Sequence, residues 1–383
     1  MEELINNNFS FIPPSSLWDY LVLCYVVAFI TQLFIIFFFF SRIAFYKSIQ
    51  SIQKEQTPIS IIVCAKNERE NLLNFLPLVL KQNYPEFEVI VVNDSSVDDT
   101  QDVLKAFTLQ HKNLKIVTVP DSDRFYGNKK FALTLGMKAA KYPLVLLTDA
   151  DCKPASLNWL AKMSCYAENK KIMLGVGNYE KQPGLLNMLI RFETFFTAMH
   201  YLSFAQVKIP YMGVGRNLAY HSDLFFNNKG FSSHLHILSG DDDLFINEVA
   251  TNQNTQICID EEAHTISVPK TTYKSWIRQK RRHFLSGSHY KIQHQALLGS
   301  IIFSQTIFIG LFFILLFHPP TIYLIISLFL IRLITQLIIF RLSAKKIGSL
   351  DLILFSPLFE IFFILFNPFL VISTFIIKKI KWN

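Results

Sequence analysis

Residues 144–151 read LVLLTDAD, a short apolar run that ends in two aspartates, Asp149 and Asp151. A continuous run of Leu and Val is typical of a strand that is buried on both faces. Similar runs precede it at residues 59–64, 88–93 and 114–119, with helix-like stretches at 68–82, 97–105 and 129–141. Strands that alternate with helices predict an α/β domain with a mostly parallel sheet, whose ligands collect at the carboxyl ends of the strands.

Residues 17–40 form an apolar stretch that is long enough to cross a bilayer. A signal peptide is one alternative, but Arg42 and Lys47 follow the stretch instead of preceding it, and no small-residue cleavage site is apparent. A buried core helix is the other alternative, and the length and flanking charges of the stretch oppose it. Because basic residues favour the cytoplasmic side, the domain that follows this span is predicted to be cytoplasmic.

Three more apolar regions lie near the C-terminus. Residues 297–317 and 321–340 are two predicted spans, and basic residues follow the second one. Residues 350–377 contain two prolines and Glu360, so they could form a kinked span, a re-entrant hairpin or an interfacial helix. The lysines that follow, at 378, 379 and 381, favour the hairpin because lysine prefers the cytoplasmic side.

The predicted organisation has four parts. An N-terminal segment (1–16) and one span (17–40) precede a globular domain (57–290), and a membrane region (297–377) follows it. This predicts an integral membrane protein, and we expect a bacterial inner membrane with the globular domain in the cytoplasm.

The composition and net charge of the chain limit the classes of molecule that it is expected to bind. The chain has 383 residues, of which 51% are hydrophobic and 17% charged, and its formal net charge is +8. A basic chain suits nucleic acid, anionic lipid or a phosphorylated substrate. The basic residues form no extended tract and no nucleic-acid motif is present, so we expect no nucleic-acid partner. Five scattered cysteines show no pairing or metal-ligand spacing and are read as reduced thiols.

The strand ends carry the residues that can do chemistry. Asp149 and Asp151, one residue apart, can reach a common hard cation, which would stabilise a diphosphate leaving group. The alternative is a pair of turn or helix-capping aspartates. Asp94 could accept a hydrogen bond from a base or a ribose, or it could form an Asx turn or a helix cap. Lys129 and Lys130 open a helix and could hold phosphate, or they could be solvated.

Two later segments are also polar. Residues 239–244 read SGDDDL, and three adjacent carboxylates can raise the pKa of at least one of them, as a general base requires. A helix cap is the alternative. Residues 276–283 read WIRQKRRH and would bind either anionic lipid or a diphosphate, with lipid favoured on this segment alone. Residues 185–207 predict either a helix on the membrane surface or a buried helix of the globular domain.

The order of these motifs resembles the inverting GT-A glycosyltransferases of family 2. The resemblance covers about residues 57–290 and is greatest to membrane-embedded members, such as ceramide glucosyltransferase-like enzymes and hyaluronan, chitin and cellulose synthases. Five segments carry it, namely Val63-Cys64-Ala65-Lys66-Asn67-Glu68, Asn93-Asp94-Ser95-Ser96 with Asp98-Asp99-Thr100, Lys129-Lys130-Phe131-Ala132-Leu133, Asp149-Ala150-Asp151 and Gly240-Asp241-Asp242.

The resemblance implies the donor side of the site. Asp94 would bind uracil or another nucleoside, with Ala65 and Glu68 lining that pocket and Lys129 near the nucleotide. A nucleoside-diphosphate sugar is implied as the donor, a UDP-sugar above others. The pair Asp149 and Asp151 would hold a divalent metal, Mg²⁺ or Mn²⁺, with Asp149 also close to the nucleotide-sugar.

The acceptor side follows from the same resemblance. Asp242 would be the general base, and Asp241 would lie on the acceptor side with Asn217, from the segment Gly213-Val214-Gly215-Arg216-Asn217. Gln279 and Arg282 would contact the diphosphate. Processive members carry Q-x-x-R-W, whereas this chain has His283 in place of Trp.

The departure at His283, together with only three or four predicted spans, favours transfer of one sugar to a lipid or lipid-linked acceptor. A processive polysaccharide synthase with a glycan acceptor is the first alternative. A non-catalytic membrane scaffold that keeps a nucleotide-sugar-binding fold is the second, and the intact acidic set argues against it.

Overall fold

The computed structural model describes residues 16–47, 56–119, 129–165, 167, 169–237 and 239–376, with side chains up to residue 373. Most of the predicted N-terminal segment, the Gly127-Asn128 pair before Lys129, and the lysines at 378, 379 and 381 lie outside the described residues.

The centre of the fold is a seven-stranded sheet with the order β3-β2-β1-β4-β8-β6-β9, and a second sheet has the order β5-β10-β7. In chain order the strands are β1 Ile59–Ala65, β2 Phe87–Asn93, β3 Leu114–Thr118, β4 Leu144–Asp149, β5 Cys152–Pro154, β6 Ile172–Leu174, β7 Gly177–Tyr179, β8 Leu218–His221, β9 Thr255–Ile257 and β10 Thr265–Ser267. The first four strands are parallel, as predicted, and β8 is antiparallel to both of its neighbours.

Helices cover the sheet and form the membrane region. They are α1 Leu17–Ile35, a π-helical continuation Ile36–Phe40, α2 Ser41–Ala44, α3 Arg69–Leu80, α4 Thr100–Gln110, α5 Lys129–Ala139, α6 Trp159–Ser164, α7 Leu185–Gln206, α8 Ser222–Asn227, α9 Asp243–Val249, α10 Tyr273–Gly287, α11 Ile292–Leu315, α12 Ile322–Ile347 and α13 Ser356–Ile376. Short 3₁₀ segments are Ser232–His234, Glu261–Ala263, Pro319–Thr321 and Leu350–Phe355.

The parallel strands are continuous apolar runs because both faces of the sheet are covered. On β1, Ile62 belongs to the core cluster that contains residues of α5 and α7, whereas Ile61 and Val63 belong to the cluster that contains residues of α3 and α6. Alternate side chains on a strand point to opposite faces, so a strand covered on both sides is apolar at most successive positions. The prediction of a mostly parallel α/β sheet is confirmed.

One predicted helix begins later than expected. The pattern predicted a helix over 97–105, but α4 begins at Thr100. The backbone N–H of Val97 donates to Asn67 Oδ1 at 2.9 Å, and Asp98 accepts from the backbone N–H of Arg69 at 3.3 Å. These bonds hold the segment against the loop after β1 and exclude the helical conformation there.

Four helices are long and apolar enough to cross a membrane, and they cover Leu17–Ala44, Ile292–Leu315, Pro319–Ile347 and Leu350–Ser373. The last of these settles an alternative from the sequence, because α13 runs without reversal to Ile376 and contains Pro368. The re-entrant hairpin favoured by the lysines is therefore wrong for the described residues. The charge rule leaves out Glu360 of α13, which pairs with Arg332 of α12 with Nη2 and Oε1 2.8 Å apart.

Helix α7 joins the sheet to the membrane helices. Phe204 stacks on Phe39 of the π-helical segment with ring centroids 4.7 Å apart, and Phe195 lies 5.7 Å from Phe340 of α12. Phe192 packs against Phe359 of α13 at 5.2 Å. The sequence predicted either a helix on the membrane surface or a buried helix of the globular domain for residues 185–207. In the structure it is a buried helix.

Candidate active site

Three strand ends meet at one edge of the sheet. Cys64 of β1 is paired in register with Asp149 of β4, and Ala65 is paired with Asn93 of β2. Asp94 follows immediately, and its backbone N–H donates to the carbonyl oxygen of Ala65 at 2.8 Å. The parallel register therefore gathers the ends of the three strands, as the sequence predicted.

The loops after β1 and β2 are bonded to each other. The backbone N–H of Asn67 donates to Ser96 Oγ at 2.9 Å, and that of Glu68 donates to Thr100 Oγ1 at 3.0 Å. Asn67 and Ser95 both have left-handed backbones, with φ of 56° and 53°. Non-glycine residues adopt this conformation at a cost and only where surrounding bonds enforce it, which is common at binding sites.

Asp94 is a buried carboxylate that needs a partner. Its exposed fraction is 1%, and neither carboxylate oxygen has a hydrogen-bond partner among the described residues. Burial raises its pKa, and the charge of Lys66 opposes that shift. Asp94 forms no Asx turn and is not the cap of α4, which is Asp99. The arrangement fits a ligand donor, such as a nucleobase N–H or a ribose hydroxyl.

Lys129 connects two acidic segments that are distant in sequence. Its Nζ lies 2.9 Å from Asp149 Oδ1 and 3.0 Å from Asp241 Oδ2. Burial alone would lower the pKa of Lys129, but the neighbouring carboxylates of Asp149 and Asp241 raise it well above its ordinary value. Lys129 is therefore a fixed positive charge between the strand end and the acidic loop.

The donor set at the end of β4 fits a hard divalent cation. One ligand atom each from Asp149, Asp151 and Cys152 lie within 4.8 Å of one another. Burial and then the charge of Asp149 raise the pKa of Asp151, and a bound dication would offset both effects. The Cys152 thiol lies 2.9 Å from Ser267 Oγ and burial raises its pKa, so the carboxylates are the ligands suited to Mg²⁺ or Mn²⁺.

The acidic loop begins at Gly240, whose φ of +94° is left-handed. Asp242 then caps α9, since its Oδ1 accepts from the backbone N–H of Asp243 at 2.8 Å. Its Oδ2 accepts from the backbone N–H of Gly215 at 2.6 Å. Asp242 therefore caps a helix, as one of the two alternatives predicted, and it also faces the cavity described below.

The three carboxylates of this loop have different proton affinities. Burial and then the charges of Asp241 and Asp243 raise the pKa of Asp242 to about 7. Burial opposes the ionisation of Asp241 too, but Lys129 reverses the effect and lowers the pKa of that carboxyl. Burial also raises the pKa of Asp243, which accepts hydrogen bonds from Ser286 and Tyr290. A carboxyl group with a pKa of about 7 can take up and release a proton near neutral pH.

These groups line one cavity of about 650 Å³. The site residues that line it are Glu68, Lys129, Asp149, Asp151, Asp241, Asp242, Gln279 and Arg282. Helix α10 contributes Gln279 and Arg282, together with Arg278, Lys280 and His283. Although the sequence of this segment favoured lipid binding, these side chains face the cavity.

Three predicted site residues do not line this cavity. Ala65 and Asp94 lie at the adjoining strand ends. Asn217 is fully buried, with its amide nitrogen donating to the carbonyl oxygens of Val176 and Ala263 and its oxygen accepting from Trp159. Because its amide is committed to these bonds, Asn217 supports the fold here, and the expectation that it contacts an acceptor is not supported.

Three residues that line the cavity were not singled out from the sequence. They are Arg216, Tyr179 and Asp243. Arg216 Cζ lies 4.4 Å from the centre of the Tyr179 ring, and no local sequence pattern signals that contact. The three adjacent acids were recognised as a cluster. The hydrogen bonds that distinguish Asp243 from Asp242 come from Ser286 of α10 and from Tyr290, which follows that helix.

Comparisons with known proteins agree with this geometry. The family model Glycosyl transferase family 2 matches residues 60–220. The chain is 34% identical over 119 residues to the poly-beta-1,6-N-acetyl-D-glucosamine synthase of Staphylococcus epidermidis, covering 30% of this chain and 28% of that relative. It is 28% identical over 124 residues to the glycosyltransferase AglE of Haloferax volcanii, covering 32% of this chain and 39% of that relative.

Among solved structures, the mannosyltransferase PcManGT from Pyrobaculum calidifontis, in complex with GDP-Man and Mn²⁺, aligns with a TM-score of 0.58. The alignment covers 90% of this chain and 99% of that one at 16% identity, so the likeness concerns the fold. The chain spans well under half the length of the two curated relatives. Residues 60–220 of this chain therefore match the model of glycosyl transferase family 2, and the chain has the GT-A fold.

Proposed function

We propose that this protein is an inverting glycosyltransferase that moves one sugar from a nucleoside-diphosphate sugar to a lipid or lipid-linked acceptor at a membrane surface. The observation that carries the proposal is that one cavity is lined by the Asp149 and Asp151 pair, by Asp242, and by residues of α7 and the apolar helix α11. The proposal assigns the donor site, the general base and the approach from the membrane region to this one cavity.

The donor half of the cavity suits a nucleoside diphosphate. Asp94, at the strand end beside the cavity, would accept a hydrogen bond from the nucleoside, since its buried oxygens have no protein partner among the described residues. Asp149 and Asp151 would hold a divalent cation, which supplies charge neutralisation to the diphosphate when bound. The mannosyltransferase of the same fold, solved in complex with GDP-Man and Mn²⁺, supports this assignment of donor class and metal.

The reaction would be a single displacement. Asp242 takes the proton of an acceptor hydroxyl as that oxygen forms a bond to the anomeric carbon of the sugar. The bond between that carbon and the diphosphate oxygen breaks, its electron pair leaves with the nucleoside diphosphate, and the anomeric configuration inverts. Arg282, which lines the cavity, would stabilise the negative charge that develops on the leaving group.

The acceptor half supports a membrane-bound acceptor. It is lined by Thr197 and Ala198 of α7 and by Leu298 of α11, whose remaining length is one of the four apolar helices. Small and apolar side chains here leave room for an acceptor head that stays attached to the bilayer. Arg42 and Lys47 flank the first helix, which supports a cytoplasmic catalytic domain, in a bacterial inner membrane.

A processive polysaccharide synthase is the second candidate, because the relative from Staphylococcus epidermidis is named as one. His283 distinguishes the two, since it lies at the cavity wall where processive family members carry Trp.

A screen for donor use tests the proposal. Purified protein in nanodiscs is incubated with a panel of nucleotide-sugars, and release of nucleoside diphosphate is measured with Mn²⁺, with Mg²⁺ and with EDTA. We expect release from one donor class that depends on the metal. Absence of metal-dependent release from every donor would contradict the proposal.

The acceptor is tested with radiolabelled donor and native membranes. Label that moves into the organic phase on butanol extraction, with one sugar per lipid, supports single transfer. Label that remains in high-mass water-soluble material identifies a processive synthase instead.

A further inference from the structure

Arg216 lines the cavity and lies two residues before β8, whose antiparallel pairing with β4 ends at Leu147 opposite Leu218. The carbonyl oxygen of Arg216 accepts hydrogen bonds from Thr148 Oγ1 at 3.1 Å and Thr265 Oγ1 at 3.0 Å. Its backbone is therefore fixed from two sides.

The side chain of Arg216 lies in a slot that fits a guanidinium group. Its Cζ lies 4.4 Å from the centre of the Tyr179 ring, and the Tyr179 hydroxyl accepts from Gln279 Nε2 at 3.2 Å. A Cβ at Gly177 would lie only 2.4 Å from Arg216 Nε, so any side chain at position 177 would displace the arginine. The slot thus depends on glycine at 177 and on an aromatic ring at 179.

The guanidinium of Arg216 forms no ion pair with a carboxylate among the described residues. None of the ion pairs within 4.0 Å among the described residues involves it, and its buried Nε has no hydrogen-bond partner there. The acids Asp149 and Asp151 are near enough to interact with its charge but do not bind it directly. A guanidinium whose only function was to neutralise those acids would lie in contact with one of them.

We propose that Arg216 binds a phosphate oxygen of a ligand in this cavity. The phosphate belongs either to the donor diphosphate, in which case the inference rests on the proposed function, or to a phosphorylated acceptor. In either case, the planar guanidinium of Arg216 would bind a phosphate oxyanion. Arg216 would then face the phosphate from the sheet side, whereas Arg282 comes from α10.

The experiment compares full-length wild type with Arg216→Met, Arg216→Lys and Gly177→Ala, using calorimetric titration in nanodiscs. The probes are pyrophosphate with Mn²⁺, UDP or GDP with Mn²⁺, and the matching nucleoside alone. If Arg216 contacts the donor diphosphate, Arg216→Met weakens binding of pyrophosphate and nucleotide ~10- to 100-fold, as expected for loss of a hydrogen bond to a charged group. Nucleoside affinity stays unchanged, and Arg216→Lys recovers part of the loss.

A second arm detects a phosphorylated acceptor. Inorganic phosphate is titrated into protein already saturated with nucleotide and Mn²⁺. If Arg216 serves the acceptor, wild type binds this phosphate, Arg216→Met does not, and donor-side affinities are unaltered. Gly177→Ala keeps the positive charge of Arg216 but displaces its side chain. It should therefore lose affinity in the same arm in which Arg216→Met loses affinity.

Two results would overturn the inference. The first is that Arg216→Met binds the probes of both arms as tightly as wild type does. The second is that Arg216→Met loses nucleoside affinity and pyrophosphate affinity equally, which indicates a structural role for Arg216. If wild type binds pyrophosphate through Arg216 but binds neither nucleotide, the proposed function fails while the inference stands.

Discussion

At the scale of single residues, the proposed general base is Asp242, which two backbone N–H groups orient and whose pKa is raised by burial and by two neighbouring carboxylates. The bonds from Gly215 and Asp243 leave its remaining lone pairs for an acceptor hydroxyl. Asp242→Asn keeps the shape but cannot accept a proton, so we expect transfer to fall by roughly 10²- to 10⁴-fold. The measurement is steady-state sugar transfer, with donor affinity determined in parallel.

Asp102→Asn is the matched control, since this exposed carboxylate of α4 does not line the cavity. Normal turnover by Asp242→Asn, or an equal defect in Asp102→Asn, would contradict the assignment.

The pH dependence follows from the same carboxyl group. Burial, Asp241 and Asp243 raise the pKa of Asp242 to about 7, and a general base works only when ionised. The kcat/KM for transfer should therefore rise about tenfold per pH unit below 7 and level off above it. Removing the charge of the neighbour with Asp241→Asn should move the rise to lower pH. A flat profile between pH 5 and pH 8, measured with saturating metal, would show that another group takes the proton.

At the scale of elements, the position of the base depends on how α9 is fixed to the helices beside it. Asp243 at the start of α9 accepts hydrogen bonds from Ser286 at the end of α10 and from Tyr290, at 2.8 Å, just before α11. Asn247, further along α9, lies 2.9 Å from His294 of α11. These contacts tie the acidic loop to the membrane region.

We expect Tyr290→Phe to lower the free energy of unfolding by about 1.5–3 kcal/mol, because a buried carboxylate loses a donor. The measurement is thermal unfolding in nanodiscs. Tyr273→Phe is a suitable control, since Tyr273 is exposed. Equal stability of wild type and Tyr290→Phe would mean that the bond does not hold α9 in place.

The sequence predicted the elements of the sheet more completely than the site they form. The runs that became β1 to β4 were readable because strands covered on both faces leave an uninterrupted apolar pattern, and the residues after them follow from parallel topology. The position of the Arg216 side chain in the cavity could not be predicted, because Arg216 lies just before β8, which pairs with β4 some 70 residues earlier in the chain. Asn217 was assigned by resemblance, and only its three buried hydrogen bonds reveal its structural role.

At the scale of the whole molecule, a buried polar network joins all four apolar helices. Arg332 of α12 donates to both carboxylate oxygens of Glu360 on α13, each at 2.8 Å, and to Gln32 of α1 at 3.0 Å. Gln305 of α11 donates to the same glutamate. Charged groups in a membrane interior are stable only when paired, so this network selects one arrangement of the four helices.

Arg332→Leu leaves Glu360 buried without its cation, and we expect a loss of about 3–5 kcal/mol. The double variant Arg332→Leu with Glu360→Leu removes both charges and should recover most of that stability. The midpoint of thermal unfolding, followed by size-exclusion chromatography, measures both. A double variant as unstable as Arg332→Leu would contradict the account of the network as a paired charge.

The central claim is that the strand-end carboxylates and the acidic loop serve one bound nucleoside diphosphate in different roles. The most direct measurement is calorimetric affinity for the preferred nucleoside diphosphate with Mn²⁺ in wild type, Asp94→Asn, Asp151→Asn and Asp242→Asn. We predict that Asp94→Asn and Asp151→Asn each weaken binding at least about tenfold, from loss of a nucleoside contact and of the metal, respectively. Asp242→Asn should bind as wild type does. Wild-type affinity in the first two variants, or a matching loss in the third, would contradict the claim.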